Sequence, residues 1–345
     1  MPEATPTLLA DHTTLRLGGP AQRFVTARSE ADLIDAVRRA DGAGEPVLVL
    51  GGGSNLVVAD EGVPGTVVKV ATTGVRPDVE GDEATCGGVL VTVAAGESWD
   101  GLVATAVARG WVGIESLSGI PGSVGGTPIQ NVGAYGQEVS QTIASVRVWD
   151  RTQRGVRTFA NADCAFAYRH SRFKAEPGRH VVLSVTFQLA QGTLGAPVGY
   201  AELARTLGIE PGQRAPLGAV RDAVLGLRRG KGMVLDAADH DTWSAGSFFT
   251  NPVVAPGLLP EGAPAWPVAG GLKTSAAWLI ENAGFAKGHR SGLAAVSGKH
   301  TLALTNRGGA TTEDLLALAR EVRDGVETRF GIRLVNEPVL LGCAL

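Results

Sequence analysis

The sequence is poor in charged residues and carries no excess of one sign. Of its 345 residues only 19% are charged, and the formal net charge is -3 with an isoelectric point near 6.1. A chain with this balance offers no basic surface to nucleic acid. No apolar run approaches the roughly 18 residues that a membrane span needs. We therefore expect a protein that binds neither nucleic acid nor membrane.

Cysteine and metal-ligand patterns are also scarce. The three cysteines, Cys86, Cys164 and Cys343, are far apart and odd in number, and neither a CxxC nor an HExxH pattern occurs. The thiols are expected to be free and buried, and no metal site is predicted. The first residues, MPEATPTLLADHTTLR, contain an early acidic residue and no apolar core, which is not typical of a signal peptide. The expected location is the cytoplasm.

Glycine, by contrast, is abundant. Forty-eight glycines predict tight turns in a close-packed α/β protein, and the length predicts two or three domains. The densest cluster, GIPGSVGGTPIQNVGAYGQEV over residues 119–139, holds six glycines in 21 residues. A backbone of this kind can approach a ligand closely, and the ligand is usually anionic. A long surface loop is the alternative.

Another glycine cluster comes earlier in the chain, after a short predicted strand. We call it the first glycine cluster, and residues 119–139 the second glycine cluster. The segment PVLVLGGGSNLVV, residues 46–58, places three glycines, Ser54 and Asn55 directly after that strand. It is not a Walker loop, because no GK[ST] follows, and it lacks the third glycine and the helix of a Rossmann fingerprint. A glycine turn after a strand suits a phosphate or a ribityl chain. A plain hairpin turn is the alternative.

Hydrophobic periodicity predicts two glycine-bearing α/β lobes up to about residue 195, followed by a Gly- and Pro-rich connection. Helices are expected to begin after Ser29 and Ser98. Strands are predicted over residues 22–28, 65–70, 89–96, 145–150 and 180–190. Beyond the connection we predict two helices within 200–230, strands over 245–254, 301–306 and 332–342, and helices over 272–285 and from Thr311 or Thr312 to Phe330.

Four side chains from separate parts of the chain are candidates for chemistry. The alternative interpretation of Arg169 in YRHS and of Lys231 after RRG is an exposed, solvated cation. The alternative for Ser247 in AGSFF is a structural serine. Glu337 in LVNEPVLLG is the most unusual, because a carboxylate among apolar residues costs desolvation free energy unless it is paired or protonated. Pro338 makes a water-facing edge strand the alternative.

Taken together and in order, five motifs resemble the UDP-N-acetylenolpyruvoylglucosamine reductase family: LGGGSN, GIPGSVGGTPIQNVGAYGQE, YRHSRFK, AGSFFTNP and LVNEPVLLG. The resemblance covers residues 13–342. It implies an α+β fold, with a two-lobed FAD-binding domain of the vanillyl-alcohol-oxidase (PCMH) type over residues 13–195, divided near 70–75. A smaller α/β substrate-binding domain is implied over residues 196–345. The segment after Tyr200 resembles the form of the family with an extra tyrosine loop over the substrate.

The resemblance implies an NADPH-dependent flavoenzyme. In that family NADPH reduces FAD, and the reduced flavin passes hydride to UDP-N-acetylglucosamine enolpyruvate, giving UDP-N-acetylmuramate for peptidoglycan synthesis. Arg169 and Glu337 match the family residues that stabilise negative charge at the substrate carboxylate. Ser247 matches the family's proton donor. The chain is expected to act as a monomer.

Other family positions imply the binding residues. FAD is expected along Gly51, Gly52, Gly53, Ser54, Asn55, Gly119, Ile120, Pro121, Gly122, Ser123, Gly126 and Thr127. The UDP-sugar is expected at Tyr135, Tyr168, Tyr200, Arg228, Lys231, Asn251, Lys287 and His300. Pro338 and Val339 depart from the family pattern, in which valine and a polar or basic residue commonly follow the glutamate. The partners of Glu337 are therefore left open.

Two other functions are left open by the sequence. An FAD-dependent oxidase of the same fold would act on a different small substrate, and it would not need the diphosphate site that Lys231 and Asn251 imply. A non-catalytic nucleotide-sugar binder would not need intact glycine loops.

Overall fold

The computed structural model of the protein describes residues 6–78 and 88–345. The strands in these residues are β1 Ala21–Ala27, β2 Val47–Leu50, β3 Leu56–Val58, β4 Val63–Val70, β5 Val75–Asp78, β6 Gly88–Ala94, β7 Trp111–Val112, β8 Gly133–Ala134, β9 Gln137–Glu138, β10 Ile143–Asp150, β11 Gly155–Ala160, β12 His180–Gln191, β13 Val253–Val254, β14 Ala265–Val268, β15 Gly271–Thr274, β16 Arg290–Ser291, β17 Ala294–Val296, β18 Leu304–Asn306 and β19 Val339–Leu341. The helices are α1 Glu30–Gly42, α2 Trp99–Ala108, α3 Arg172–Ala175, α4 Ala201–Leu207, α5 Leu217–Gly230, α6 Ala276–Asn282 and α7 Thr312–Phe330.

The chain divides into two compact units. The larger unit comprises residues 23–52 and 64–229, and the smaller unit comprises residues up to 22, 53–63 and 230–345. The division passes through the first glycine cluster, so that Gly51 and Gly52 belong to the larger unit and Gly53 to the smaller one. The predicted assignment of residues 13–195 to FAD and 196–345 to substrate concerns binding, and it stays a prediction.

Two sheets organise the larger unit. One has the strand order β1-β4-β2, with β2 and β4 parallel and Leu50 opposite Lys69. The other is antiparallel in the order β11-β10-β12-β6-β5, and β7 pairs with β12. The core is rich in valine, and Trp99 packs on Phe187 with ring centroids 5.9 Å apart. Because parallel strands end at the same edge, β2 delivers its glycine turn next to the end of β4.

The smaller unit is built around α7. Leu315, Leu318 and Val322 are buried on one side of this helix, in a core that also holds Phe248 and Phe249. Two antiparallel sheets, β13-β15-β14 and β16-β17-β18, and the parallel pair β19-β3 belong to the same unit. Together these elements give the unit an interior of its own.

The predicted helix starts are confirmed. The side-chain oxygens of Ser29, Ser98 and Thr311 each accept a backbone N–H from the first turn of α1, α2 and α7, respectively. These bonds satisfy backbone donors that have no partner inside the helix. Gly331, with φ of 68°, ends α7 in the left-handed conformation that favours glycine.

Several element predictions in the smaller unit are too long. Only β13 of the predicted strand 245–254 is a strand, and the helix predicted over 272–285 begins at Ala276, because β15 occupies residues 271–274. Strands β18 and β19 cover only part of 301–306 and 332–342. The physical reason is visible at residues 248–250: Phe248 N–H donates to Leu302 O and Thr250 N–H to Val335 O, so no single neighbouring strand is available.

Two of the three cysteines lie in the described residues. Cys164 is buried and Cys343 is partly buried, and both are free thiols. Burial raises the pKa of Cys164 to about 12, so this thiol stays protonated at neutral pH. Cys86 lies outside the described residues. Across residues 6–78 and 88–345, no helix combines the length and apolar character that a membrane crossing requires.

Candidate active site

The two glycine clusters contact each other, backbone to backbone, in the larger unit. A Cβ placed on Gly52 would lie 2.4 Å from Gly122 Cα, and one on Gly51 would lie 2.5 Å from Ser123 Oγ. Lys69 Nζ donates a hydrogen bond to the Gly51 carbonyl oxygen. Any side chain at Gly52 would push the two segments apart. The close contact between the two segments forms a cradle of main-chain atoms, which suits a phosphate-bearing cofactor.

The second cluster is held in place from its own flank. Val124 N–H donates to Glu97 O at 2.9 Å, and Gly125 N–H donates to Ala95 O at 2.8 Å. A Cβ on Gly125 would lie 2.6 Å from the Cβ of Ala95. Gly122 has φ of 121°, a conformation that L side chains rarely adopt. Backbone hydrogen bonds to Ala95 and Glu97 therefore fix the shape of this segment, and glycine is required at Gly122 and Gly125.

Two carboxylates that sequence reasoning missed organise this region. Glu115 is 1% exposed and accepts hydrogen bonds from Gly113 N (2.7 Å), Ala196 N (2.6 Å) and Gln137 Nε2 (3.0 Å). Asp100 accepts the N–H of Gly119 at 2.6 Å. The sequence signal that could have found Glu115 is the one used for Glu337, namely a carboxylate inside an apolar run, here GIESL.

Arg169 lies in a tight turn packed on the second glycine cluster. Its φ is 52°, and the flanking residues Ala167 and His170 form a backbone bridge. Arg169 Nη2 donates to Gly133 O at 3.1 Å, and its guanidinium carbon lies 5.5 Å from the ring centroid of Tyr168. The structure thus brings two predicted site residues, Arg169 and Tyr168, beside the segment that carries Tyr135.

Tyr135 and Tyr200, both predicted to bind substrate, pack edge to face with ring centroids 5.4 Å apart. Tyr135 also contacts a small separate core that includes Leu203 and Val224 of α4 and α5. Burial lowers the pKa of Arg228 on α5 to about 10, with Tyr135 and Asp100 opposing the effect, so the guanidinium remains positive at neutral pH. The predicted tyrosine and arginine positions of the larger unit therefore lie in one region of that unit.

In the smaller unit the backbone joins three predicted segments. Glu337 N–H donates to Phe248 O at 2.8 Å, directly beside Ser247. Asn55 Nδ2 donates to Glu337 O at 3.4 Å, and Val339 N–H donates to Asn55 O at 2.9 Å. The two predicted catalytic residues of this unit, Ser247 and Glu337, are thus held on adjacent segments, and the Asn55 segment is bonded to one of them.

The surroundings of Glu337 differ from the predicted apolar strand. Glu337 precedes β19, and its apolar neighbours Leu334 and Pro338 are buried, whereas Val335 is 62% and Val339 is 47% exposed. The reason is that residues 332–335 alternate between core and solvent, and Asn336 and Glu337 after them are both partly buried. Glu337 itself is partly buried.

The remaining predicted substrate residues lie in the smaller unit and are less closely grouped. Asn251 Oδ1 accepts the N–H of Ala276 at 3.0 Å and so caps the first turn of α6, which gives Asn251 a structural role. Lys231 and His300 are partly buried, and Lys287 is exposed in the loop after α6. The geometry alone does not assign these side chains to a ligand.

Comparison with known proteins identifies the family. Residues 21–158 match the FAD binding domain family, and residues 238–341 match the family described as UDP-N-acetylenolpyruvoylglucosamine reductase, C-terminal domain. The chain is 58% identical over 352 residues to the UDP-N-acetylenolpyruvoylglucosamine reductase of Streptomyces avermitilis, covering 98% of this chain and 94% of that protein. The chain belongs to the UDP-N-acetylenolpyruvoylglucosamine reductase family.

Other members of the reductase family agree. The reductase of Cutibacterium acnes is 57% identical over 341 residues, covering 98% of this chain and 90% of the relative. A crystal structure of the Thermus caldophilus reductase matches with a TM-score of 0.68 at 27% identity, and 98% of each chain is covered. The predicted fold class, the oxidoreductase activity and FAD as the cofactor are thereby confirmed. The glycine cradle fits such a cofactor, because its walls are main-chain atoms.

Proposed function

We propose that this chain reduces the enolpyruvyl ether of UDP-N-acetylglucosamine enolpyruvate to UDP-N-acetylmuramate, with Arg169, Glu337 and Ser247 as catalytic residues. As a member of the reductase family, it is an FAD- and NADPH-dependent oxidoreductase of peptidoglycan synthesis. The observation that carries the residue roles is the hydrogen bond from Glu337 N to Phe248 O, because it joins the backbone of Glu337 to the residue that directly follows the proposed proton donor Ser247.

The proposed cofactor residues are those of the two glycine clusters. Main-chain N–H groups and small side chains of these clusters would hold the diphosphate and ribityl parts of FAD. Bound FAD, once reduced by NADPH, would supply the hydride. The residues assigned to this role are Gly51, Gly52, Gly53, Ser54, Asn55, Gly119, Ile120, Pro121, Gly122, Ser123, Gly126 and Thr127.

The protein's own groups then manage charge and a proton. Hydride adds to the terminal methylene carbon of the substrate, and the electron pair of the double bond moves to the adjacent carbon and its carboxylate. The forked guanidinium of Arg169 and the carboxyl group of Glu337, acting as a hydrogen-bond donor, are assigned to stabilise this enolate. Ser247 Oγ gives its proton to the adjacent carbon, and the resulting alkoxide recovers a proton from solvent. A hydroxyl is a weak acid, so this step requires a strongly basic enolate.

The nucleotide end of the substrate carries its own negative charge. Arg228 and Lys231 supply cations for the diphosphate, and Arg228 keeps its charge at neutral pH although burial lowers its pKa to about 10. The other residues proposed to contact the UDP-sugar are Tyr135, Tyr168, Tyr200, Asn251, Lys287 and His300. An oxidase acting on a small uncharged substrate would have no use for these cations.

The monomeric state and the cytoplasm as location are also part of the proposal. UDP-sugars and NADPH are multiply charged, so an enzyme that uses both needs access to a compartment that holds both. Light scattering of the FAD-loaded protein tests the monomer, and an assembly of two or more chains would contradict it.

Replacing Arg169 by lysine tests the charge-stabilising role. Lysine keeps the positive charge but loses the fork of donors, so we expect kcat for the UDP-sugar to fall about 100-fold, the size of effect seen for one oxyanion donor. The rate of flavin reduction by NADPH is expected to stay within about twofold. Stopped-flow absorbance of both half-reactions is the measurement. Arg172→Lys is the matched control, because Arg172 stacks 4.9 Å from the Phe159 ring and has no proposed role in catalysis. A parent-like kcat in Arg169→Lys would contradict the role.

A further inference from the structure

One ion pair in the larger unit connects the second glycine cluster with the helix that carries Arg228. Arg221 on α5 donates to Asp100 through both terminal nitrogens, Nη1 to Oδ1 at 2.7 Å and Nη2 to Oδ2 at 3.0 Å. Asp100 Oδ1 also accepts the N–H of Gly119 at 2.6 Å. A single carboxylate therefore joins α5 to the first residue of the glycine cluster.

The pair is built for a fixed geometry. The Arg221 side chain is 16% exposed and that of Asp100 is 37% exposed. Burial raises the pKa of Asp100, but the hydrogen bonds from Arg221 and from Gly119 N–H outweigh it, so the net shift is downward and the carboxylate is ionised at neutral pH. A two-pronged guanidinium–carboxylate contact fixes both distance and orientation, which a single hydrogen bond does not.

Arg228 lies seven residues after Arg221 on the same helix. Seven residues are about two helical turns, so the two arginines emerge from the same face of α5. The charge of Asp100 also acts on Arg228, together with Tyr135. Between the arginines, Val224 packs into the small core with Leu203. Moving α5 relative to Asp100 would therefore move Arg228.

We propose that Arg221 is a positioning residue, which anchors α5 to Asp100 and thereby sets the place of Arg228 for the diphosphate of the UDP-sugar. The inference rests on the proposed role of Arg228. Arg221 lies outside all five motifs that resemble the family. The apolar contacts of α5 hold the helix in the unit, whereas the ion pair fixes the position of the helix relative to Asp100.

Replacing Arg221 by methionine tests the inference with the FAD-loaded protein and UDP as the probe. We expect the Kd of UDP, measured by calorimetry, and the KM of the UDP-sugar each to rise about tenfold. At saturating sugar, kcat should stay within about twofold, and the FAD content per chain should not change. Arg221→Lys, which retains the charge without the fork, should recover part of the affinity. Arg205→Met, which removes an exposed cation from neighbouring α4, is the control and should bind UDP like the parent.

A second variant tests whether the effect comes from the Arg221–Asp100 ion pair or from either residue alone. Asp100→Asn can still accept the Gly119 N–H but loses the ion pair, so it should weaken UDP binding as much as Arg221→Met. The double variant should be no weaker than either single one by more than about twofold, because both remove the same contact. Additive losses, or a parent-like Kd in Arg221→Met, would overturn the positioning role. If Arg221→Met does not fold, Arg221→Lys and Asp100→Asn decide in the same way. Failure of the parent protein itself to bind UDP would instead remove the proposed role of Arg228.

Discussion

Replacing Ser247 by alanine is expected to lower kcat for the UDP-sugar about 10,000-fold, at the upper end of the effect of a single general acid. Ser247 is partly buried and adjoins the Phe248 carbonyl that accepts the N–H of Glu337. Without its hydroxyl the enolate has no positioned proton donor, and hydride addition becomes unproductive. Flavin reduction by NADPH needs no proton from Ser247 and should proceed at the parent rate.

Anaerobic stopped-flow absorbance separates these two steps for Ser247→Ala. The flavin band should bleach with NADPH as in the parent protein and then fail to return when the UDP-sugar is added. Ser291→Ala provides the control, since Ser291 is a partly buried serine of the same unit, on β16, with no proposed role. Reoxidation of Ser247→Ala at the parent rate would show that the proton comes from another group.

The second large effect is expected at the glycine cradle. A methyl group on Gly52 would lie 2.4 Å from Gly122 Cα and 2.9 Å from Gly122 C. These are backbone atoms, which cannot move aside as a flexible side-chain end can, so Gly52→Ala forces the two clusters apart. Because the cradle holds the cofactor through main-chain atoms, we expect FAD affinity to fall at least about 100-fold, equivalent to about 2.7 kcal/mol.

Gly52→Ala should therefore purify without the yellow colour of the parent, and fluorescence titration with FAD gives the change in Kd. Gly42→Ala is the matched control, because a Cβ on Gly42 meets no atom within 4 Å and α1 ends there. This control should keep its full FAD content. Parent-like FAD binding by Gly52→Ala would mean that the contact between the clusters is not part of the cofactor site.

The parts of the fold that were predicted correctly are those set by neighbours in sequence. Ser29, Ser98 and Thr311 begin helices because each oxygen bonds a backbone N–H only three residues ahead. The segment around Phe248 could not be predicted in this way, since its backbone bonds go to Leu302 and Val335, more than 50 residues away. Its strand-like composition reflects burial in the core rather than pairing in a sheet.

In the candidate site, too, the features that depend on residue type alone could be predicted, and those that depend on remote residues could not. Glycine clusters are visible in any sequence, because the backbone conformations that they permit depend on residue type alone. The partners that give Asp100 and Glu115 their roles could not be predicted, since Arg221 and Ala196 lie 121 and 81 residues away. The partial exposure of Glu337 was missed for the same reason, because the Phe248 segment, to which its backbone N–H is bonded, is remote in sequence.

The most direct test of the central claim is a visible absorption spectrum of the purified protein, followed by anaerobic addition of NADPH and then of UDP-N-acetylglucosamine enolpyruvate. We predict a flavin band that bleaches with NADPH and returns when the sugar is added, which identifies cofactor, reductant and acceptor in one titration. A protein that stays colourless after reconstitution with FAD, or a bleached flavin that the sugar does not reoxidise, would contradict the proposed function.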